Sequence, residues 1–406
     1  METAQPATTH DAPARLLSID LLRGVAALAV VVTHLPFSWA AGLDDNAAGR
    51  LALPGSVVAF TAYGQYGVNL FLVISGFCIH MQWARLGLGR DRSEVRFFDF
   101  WRRRLKRLYP PYFVALLGSL AGLAVVARLS GTHPSGVAGI FGYRNDAQLL
   151  VDVVLLVFLA QNLNGASQRV GNAPFWSLAL EEQLYLLYFP FLTIRRKWGW
   201  TPALALVVAV TFAWRAYYAL SPSPPRFWYV VGPARWLEWI LGAIAVEMHL
   251  GRVKAPRWLS SPVTLAVVIL AALAVSPPRT SPGHALWTVP GAAGVNDVLF
   301  SLAAFVLVNW CCELDRAGRL RHRLATLMGR VGLFSYSLYL VHAPVMVVVK
   351  RVAIGAGVHG VPLLLLLRFG AALAAGYLFF RLVESHFLAR SRPKGGIALR
   401  GSPKAT

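Results

Sequence analysis

Three ionisable residues stand in the first apolar run of this chain, Leu16 to His34: Asp20, Arg23 and His34. A charge at the centre of a membrane helix costs roughly 2.5–3.5 kcal/mol on insertion scales and is a functional-site hypothesis by default. Arg23 and His34 are eleven residues apart, close to three helical turns, so both point the same way. Asp20, three residues before Arg23, shares that face. The imidazole is a candidate general base or acyl carrier, and the guanidinium a candidate partner for negative charge. The plainer alternative is an Asp20–Arg23 pair with His34 at the interface.

Two further groups of residues carry chemistry. Trp176-Ser177-Leu178-Ala179-Leu180-Glu181-Glu182 puts two acids early in a later apolar segment. At 1.5 Å per residue Glu181 lies roughly 10 Å below the surface where that segment begins, a depth similar to His34. A His34–Glu181 contact is therefore expected, fixing the imidazole tautomer and raising its basicity. Packing against arginines of other spans is the alternative for one of the two acids. The basic segment Phe97-Phe98-Asp99-Phe100-Trp101-Arg102-Arg103-Arg104-Leu105-Lys106-Arg107 precedes Tyr109-Pro110-Pro111-Tyr112. Arg104 and Arg107 are neighbours at i and i+3 on a helix, and guanidinium forks grip phosphate with two hydrogen bonds. The aromatics suit an interfacial helix. The segment reads either as a phosphate clamp for a donor such as coenzyme A or as a basic flank on anionic lipid.

The elements that position these groups are membrane spans. Of 406 residues, 56% are hydrophobic and 14% charged, against about 25% charged in soluble domains. The net charge of +21 fits Lys and Arg collected in cytoplasmic loops better than nucleic-acid binding. Cys78, Cys311 and Cys312 lie in or beside apolar segments, so neither a disulfide framework nor a metal site is expected. Arg23 interrupts the first apolar run, which argues against a cleavable signal peptide.

Apolar segments fall near 16–37, 66–84, 108–129, 149–161, 175–194, 202–220, 233–249, 260–276, 294–311, 333–349 and 361–388. With the N-terminus in the cytoplasm, 85–107 lies inside with nine Lys/Arg against Asp91, Glu94 and Asp99. If 149–161 dips in and returns, Arg195-Arg196-Lys197, Arg252 to Arg257, Arg316 to Arg330 and Arg390 to Lys394 also lie inside, as the positive-inside rule asks. Lys350 and Arg351 are the exception. The expectation is an all-α integral membrane protein, a bundle of about ten transmembrane helices with one short re-entrant or interfacial segment at 149–161. Residues 1–15 and 389–406 are expected as cytoplasmic tails around a transmembrane unit at 16–388, with no soluble domain attached. The multi-pass chain would sit in the cytoplasmic (inner) membrane with both termini inside. A polar stripe in a bundle also fits a transporter or flippase, although no internal repeat is visible.

Taken together, several motifs resemble the membrane-bound acyltransferase-3 family. They are Arg23 with His34; Gly67-Val68-Asn69-Leu70-Phe71-Leu72-Val73-Ile74-Ser75-Gly76-Phe77; Arg104 and Arg107 before Pro110; Trp176-Ser177-Leu178 with Glu181; and Ser335-Tyr336-Ser337-Leu338-Tyr339-Leu340 with His342 and Pro344. Arg235-Trp236-Leu237-Glu238 before Gly242 fits weakly. Asn69 stands where that family usually has Asp, and Glu384-Ser385-His386 where Glu-Arg-Pro is common.

The resemblance implies a ten-helix bundle that transfers an acyl group, most often acetyl, from an acyl-CoA donor to a hydroxyl. Arg104 and Arg107 would hold the donor phosphates, with Arg23 deeper. His34 would act as base or transient acyl carrier, and Glu181 would orient it. Asp20, Trp176, Ser177, Tyr336 and His342 would bind substrate or support the site. The acceptor would be a carbohydrate of a surface glycan or glycolipid, or else a small molecule of macrolide type. A separate extracytoplasmic transferase would be a further partner. No metal and no nucleic acid are implied.

Overall fold

A computed structural model of the chain describes residues 16–36, 55–86, 97–129, 145–164, 172–221, 226–276 and 290–390. The expected N-terminal tail and residues 391–406 of the expected C-terminal tail lie outside the described residues. Every described element is helical: α1 (Leu17–His34), α2 (Gly55–Ala62), α3 (Gly67–Leu86), α4 (Phe97–Leu129), α5 (Asp146–Val157), α6 (Trp176–Trp198), α7 (Trp200–Leu220), α8 (Trp236–His249), α9 (Pro262–Ala274), α10 (Pro290–Arg316), α11 (Arg323–Leu333), α12 (Ser335–Gly355) and α13 (Val361–Phe379). A π-helical turn, Phe380–Glu384, then leads into α14 (Ser385–Arg390).

Among the described residues seven helices are long and apolar enough to cross a membrane. They include α1, α4, α7, α10 and α12, together with the stretches Ala59–Arg85 and Val361–Leu388. Three further spans were expected from the apolar pattern. One of them, α6, has 23 residues but carries Glu181, Glu182 and a basic last turn. The other two, α8 with 14 residues and α9 with 13, run only about 20 Å at 1.5 Å per residue, against a hydrocarbon core of about 30 Å. The short segment expected at 149–161 is α5, 12 residues long, followed by a 3₁₀ turn at Gln161–Leu163.

Centrally placed, α1 lies against α3, α10, α11 and α12. Its contact with α11 is backbone to backbone. A β-carbon at Gly24 would lie 2.1 Å from the Met328 carbonyl oxygen, so only glycine allows this approach. The same device joins α3 to α8, where a β-carbon at Gly76 would lie 1.9 Å from the Trp239 carbonyl oxygen. Leu22, Val73, Phe77, Val246 and Val308 fill the apolar centre where α1, α3, α8 and α10 meet. Arg23 and Ser75 each sit one residue before one of these two glycines, so tight packing fixes the helices that carry them.

In the sequence, a basic interfacial helix and a span beginning at 108 are expected as separate elements. They form one 33-residue helix, α4, which runs through Pro110 and Pro111. Proline lacks the N–H that would return to residue i−4, so the carbonyls of Lys106 and Arg107 lose their helical donors without the helix ending. Continuity holds Arg104 and Arg107 rigidly against the bundle.

Candidate active site

At its C-terminal end α1 places His34 in its last turn. The Nδ1 atom of His34 lies 2.7 Å from the Val30 carbonyl oxygen. A carbonyl only accepts, so Nδ1 carries the hydrogen and the Nε2 lone pair remains available. Nε2 has no hydrogen-bond partner among the described residues. The residue as a whole is only partly buried. His342 of α12 approaches with its Nε2 3.3 Å from His34 Nδ1, and the ring centroids are 5.0 Å apart. From α13, Arg368 reaches under the same turn, donating to the carbonyls of Leu35 and His34. It caps two carbonyls that the helix end leaves open. Arg368 was not foreseen, although an arginine in the long apolar run 361–388 was the signal for it.

Glu181 does not serve as the expected partner of His34. Its Oε1 accepts hydrogen bonds from Ser75 Oγ at 2.5 Å and from the Tyr185 hydroxyl, and Ser75 Oγ accepts in turn from Trp239 Nε1 at 3.1 Å. No hydrogen bond joins His34 to Glu181 among the described residues. Depth along a helix fixes height but not azimuth, and packing of α3 between them sends the carboxylate to Ser75. The neighbouring Glu182 is 8% exposed, and its buried Oε2 has no hydrogen-bond partner among the described residues.

A second centre lies about 16 Å from His34 along the α1 axis, at eleven residues times 1.5 Å. Here Arg23 lies within electrostatic range of Arg104 and Arg107 of α4. Arg107 feels the like charges of Arg104 and Arg23 and the opposite charge of Glu384. Cys78 of α3 lies in the field of all three arginines and of Asp20. Arg104 stacks over the Tyr185 ring at 5.0 Å and the Phe100 ring at 5.5 Å. None of the three arginines forms an ion pair among the described residues. Glu384, set by the π-helical turn, accepts from Ser337 Oγ at 2.5 Å and from Ser337 N at 3.2 Å. Its place in this centre was not legible in the sequence. Extra residues of this kind in a helix often mark functional sites.

The remaining expected residues take supporting places. Asp20 is buried at the contact of α1 with α11. Trp176 packs with Val30, Val68 and Tyr339 beside the turn that holds His34. The Tyr339 hydroxyl donates to the Pro174 carbonyl at 2.6 Å, which leaves Ser177 Oγ to donate to Tyr339 at 2.5 Å. Tyr336 donates to the Leu108 carbonyl at 2.9 Å, tying α12 to α4 just before the two prolines. Asn69 donates to Asp297 Oδ1 at 3.3 Å and to Ser301 Oγ at 3.0 Å. A carboxylate is thus present beside position 69, supplied from α10. Among the described residues no group of three His, Cys, Asp or Glu could hold a metal ion.

This arrangement offers an imidazole nitrogen with a free lone pair at one end of α1 and a cluster of three arginines toward the other. A family model described as an acyltransferase domain matches residues 16–381. The chain belongs to the acyltransferase-3 family. It is 28% identical to Acyltransferase MdmB of Streptomyces mycarofaciens over 346 residues, 81% of this chain and 78% of that protein. It is also 28% identical to the peptidoglycan O-acetyltransferase OatA of Listeria monocytogenes over 227 residues, 52% of this chain. That match covers only 30% of OatA. No solved structure matches the chain. Membership and relatives make this acyltransferase an enzyme that transfers acyl groups, and its apolar helices make it a multi-pass membrane protein.

Proposed function

We propose that this acyltransferase moves an acetyl group from acetyl-CoA, or another acyl group from its CoA thioester, to a hydroxyl of a sugar in a surface glycan or glycolipid. The observation that carries this reading is an unpartnered His34 Nε2 at one end of α1 and, around Arg23 toward the other end, an arginine cluster that has no ion pairs of its own. Arg104, Arg107 and Arg23 hold the donor's phosphates through charge-assisted hydrogen bonds. His34 Nε2 takes the proton of the acceptor hydroxyl as its oxygen attacks the thioester carbonyl, and the donor thiolate leaves. The same nitrogen is equally placed to carry the acyl group transiently. Glu181 acts at the donor end through Tyr185, whose ring lies against Arg104, instead of on His34. Trp176, Ser177, Tyr336 and Asp20 hold the elements around the two centres.

In this reading the protein lies in the cytoplasmic membrane with about ten spans and both termini inside, as the basic ends of α4, α6 and α10 favour. In it α6, α8 and α9 also cross, and α5 is re-entrant. A thiol-reactive impermeant label applied from outside then reaches a cysteine placed at Asn164 and misses one at Lys197 or Arg321; the reverse pattern removes the topology. A second reading keeps the reaction and makes the acceptor a small molecule. The lengths favour it, since the chain covers most of MdmB and under a third of OatA. Purified protein given radiolabelled acetyl-CoA tests the reaction itself. Label is expected to leave the donor and appear on an added sugar or small-molecule alcohol, and donor turnover no faster than in the His34→Ala variant would sink the proposal.

A further inference from the structure

We infer that His342 is a positioning residue that fixes the tautomer of His34 by accepting its Nδ1 hydrogen, the task a carboxylate has in a triad of Ser, His and Asp. The donors and acceptors around the pair leave one consistent assignment. His342 Nδ1 lies 2.8 Å from the Tyr339 carbonyl oxygen and 3.1 Å from that of Leu338. Carbonyls cannot donate, so this nitrogen carries the hydrogen, and in a neutral ring the other nitrogen is then an acceptor. That acceptor, Nε2, faces His34 Nδ1 at 3.3 Å. His34 Nδ1 already points its hydrogen at Val30 at 2.7 Å. One N–H is therefore shared between a carbonyl of its own helix and the ring of α12. The opposite tautomer of His34 would bring an Nδ1 lone pair against both the Val30 oxygen and the His342 lone pair.

Burial makes the arrangement one-directional. His342 is fully buried while His34, at the end of its helix, is partly exposed, so a reactant approaches from the side of His34 and not of His342. The Tyr339 ring, 5.8 Å from that of His342, is itself held by Pro174 and Ser177. This second layer keeps the acceptor ring from turning. Arg368 holds the other side of the same turn. A neutral imidazole as acceptor orients His34 without adding a negative charge. That separates this site from one built on a His–Glu pair.

The consequence for catalysis rests on the acyl-transfer reading, whereas the tautomer does not, and the experiment separates them. Carbethoxylation of His34 by diethyl pyrocarbonate, followed by peptide mass spectrometry, reports the nucleophilicity of Nε2 in purified protein without any acceptor. In His342→Leu the rate at His34 is expected to fall about tenfold, the worth of roughly one hydrogen bond. His342→Gln, whose Oε1 accepts but cannot take a proton, should return most of that rate. In transfer assays kcat should follow the same order while the KM for acyl-CoA stays unchanged, because the arginine cluster is remote. Equal carbethoxylation of wild type and His342→Leu overturns the inference. So does an equal fall in the Leu and Gln variants, since shape alone would then explain it. Dependence of carbethoxylation on residue 342 in a protein that transfers no acyl group upholds the tautomer and removes the acyl-transfer reading.

Discussion

Two groups of arginines lie in this bundle, one buried and one half-buried, and they differ in their counter-charges. Arg215 and Arg235 are 7% and 3% exposed. Arg215 pairs with Glu238. Arg235 pairs with Glu238 at 3.3 Å and with Asp297 at 2.5 Å, and Tyr229 donates to the same Asp297 oxygen. Two positive charges meet two negative ones, and Asn69 closes the set. Arg23, Arg104 and Arg107 lie together with Glu384 as the opposing charge, and that carboxylate is occupied by Ser337. A compensated group braces a fold, since each charge removed leaves its partner buried and unpaired. A group of like charges does not brace anything until an anion arrives. Residue type alone does not distinguish the two; the surrounding acids do.

The largest expected effect that sharpens this contrast is on stability. Arg235→Met leaves Asp297 without its counter-charge, while Glu238 keeps Arg215, and should cost about 3–5 kcal/mol, read as a lower unfolding temperature in detergent. Arg104→Ala with Arg107→Ala should leave that temperature in place and weaken acyl-CoA binding about a hundredfold, about tenfold for each residue if the two add. A double variant that unfolds early yet binds the donor normally would erase the difference between the groups. Smaller still is the effect of lysine at either position, which keeps the charge and loses the fork, so donor KM should recover only in part. The smallest is salt. Raising it should weaken donor binding more in the wild type than in the double variant, as exposed phosphate contacts are screened.

Much of the site was legible because its parts lie in short linear patterns. The spacing of Arg23 and His34 and that of Arg104 and Arg107 follow from helical geometry alone. What escaped the sequence depends on which helix stands beside which. His342 reaches His34 only because α12 packs along α1, and the deflection of Glu181 depends on Ser75 of α3 lying beside α6. Asp297 restores a carboxylate beside Asn69 from another helix. Glu384 needs the π-helical turn for its direction, and periodicity gives no sign of a π turn. For the fold, the long apolar helices were readable, while α8 and α9 are shorter than the apolar runs that contain them, since those runs continue into turns and loop.

The account turns on His34 as the group that handles the acyl transfer, with donor binding kept at the other end of α1. Turnover of labelled acyl-CoA to acceptor by purified His34→Ala, with donor KM recorded alongside, tests this most directly. The account predicts a fall of about 10²–10⁴-fold in kcat, with KM for acyl-CoA and unfolding temperature at their wild-type values. Turnover near the wild-type rate in a folded variant would contradict it, and the acyl group would then have to pass through a different residue.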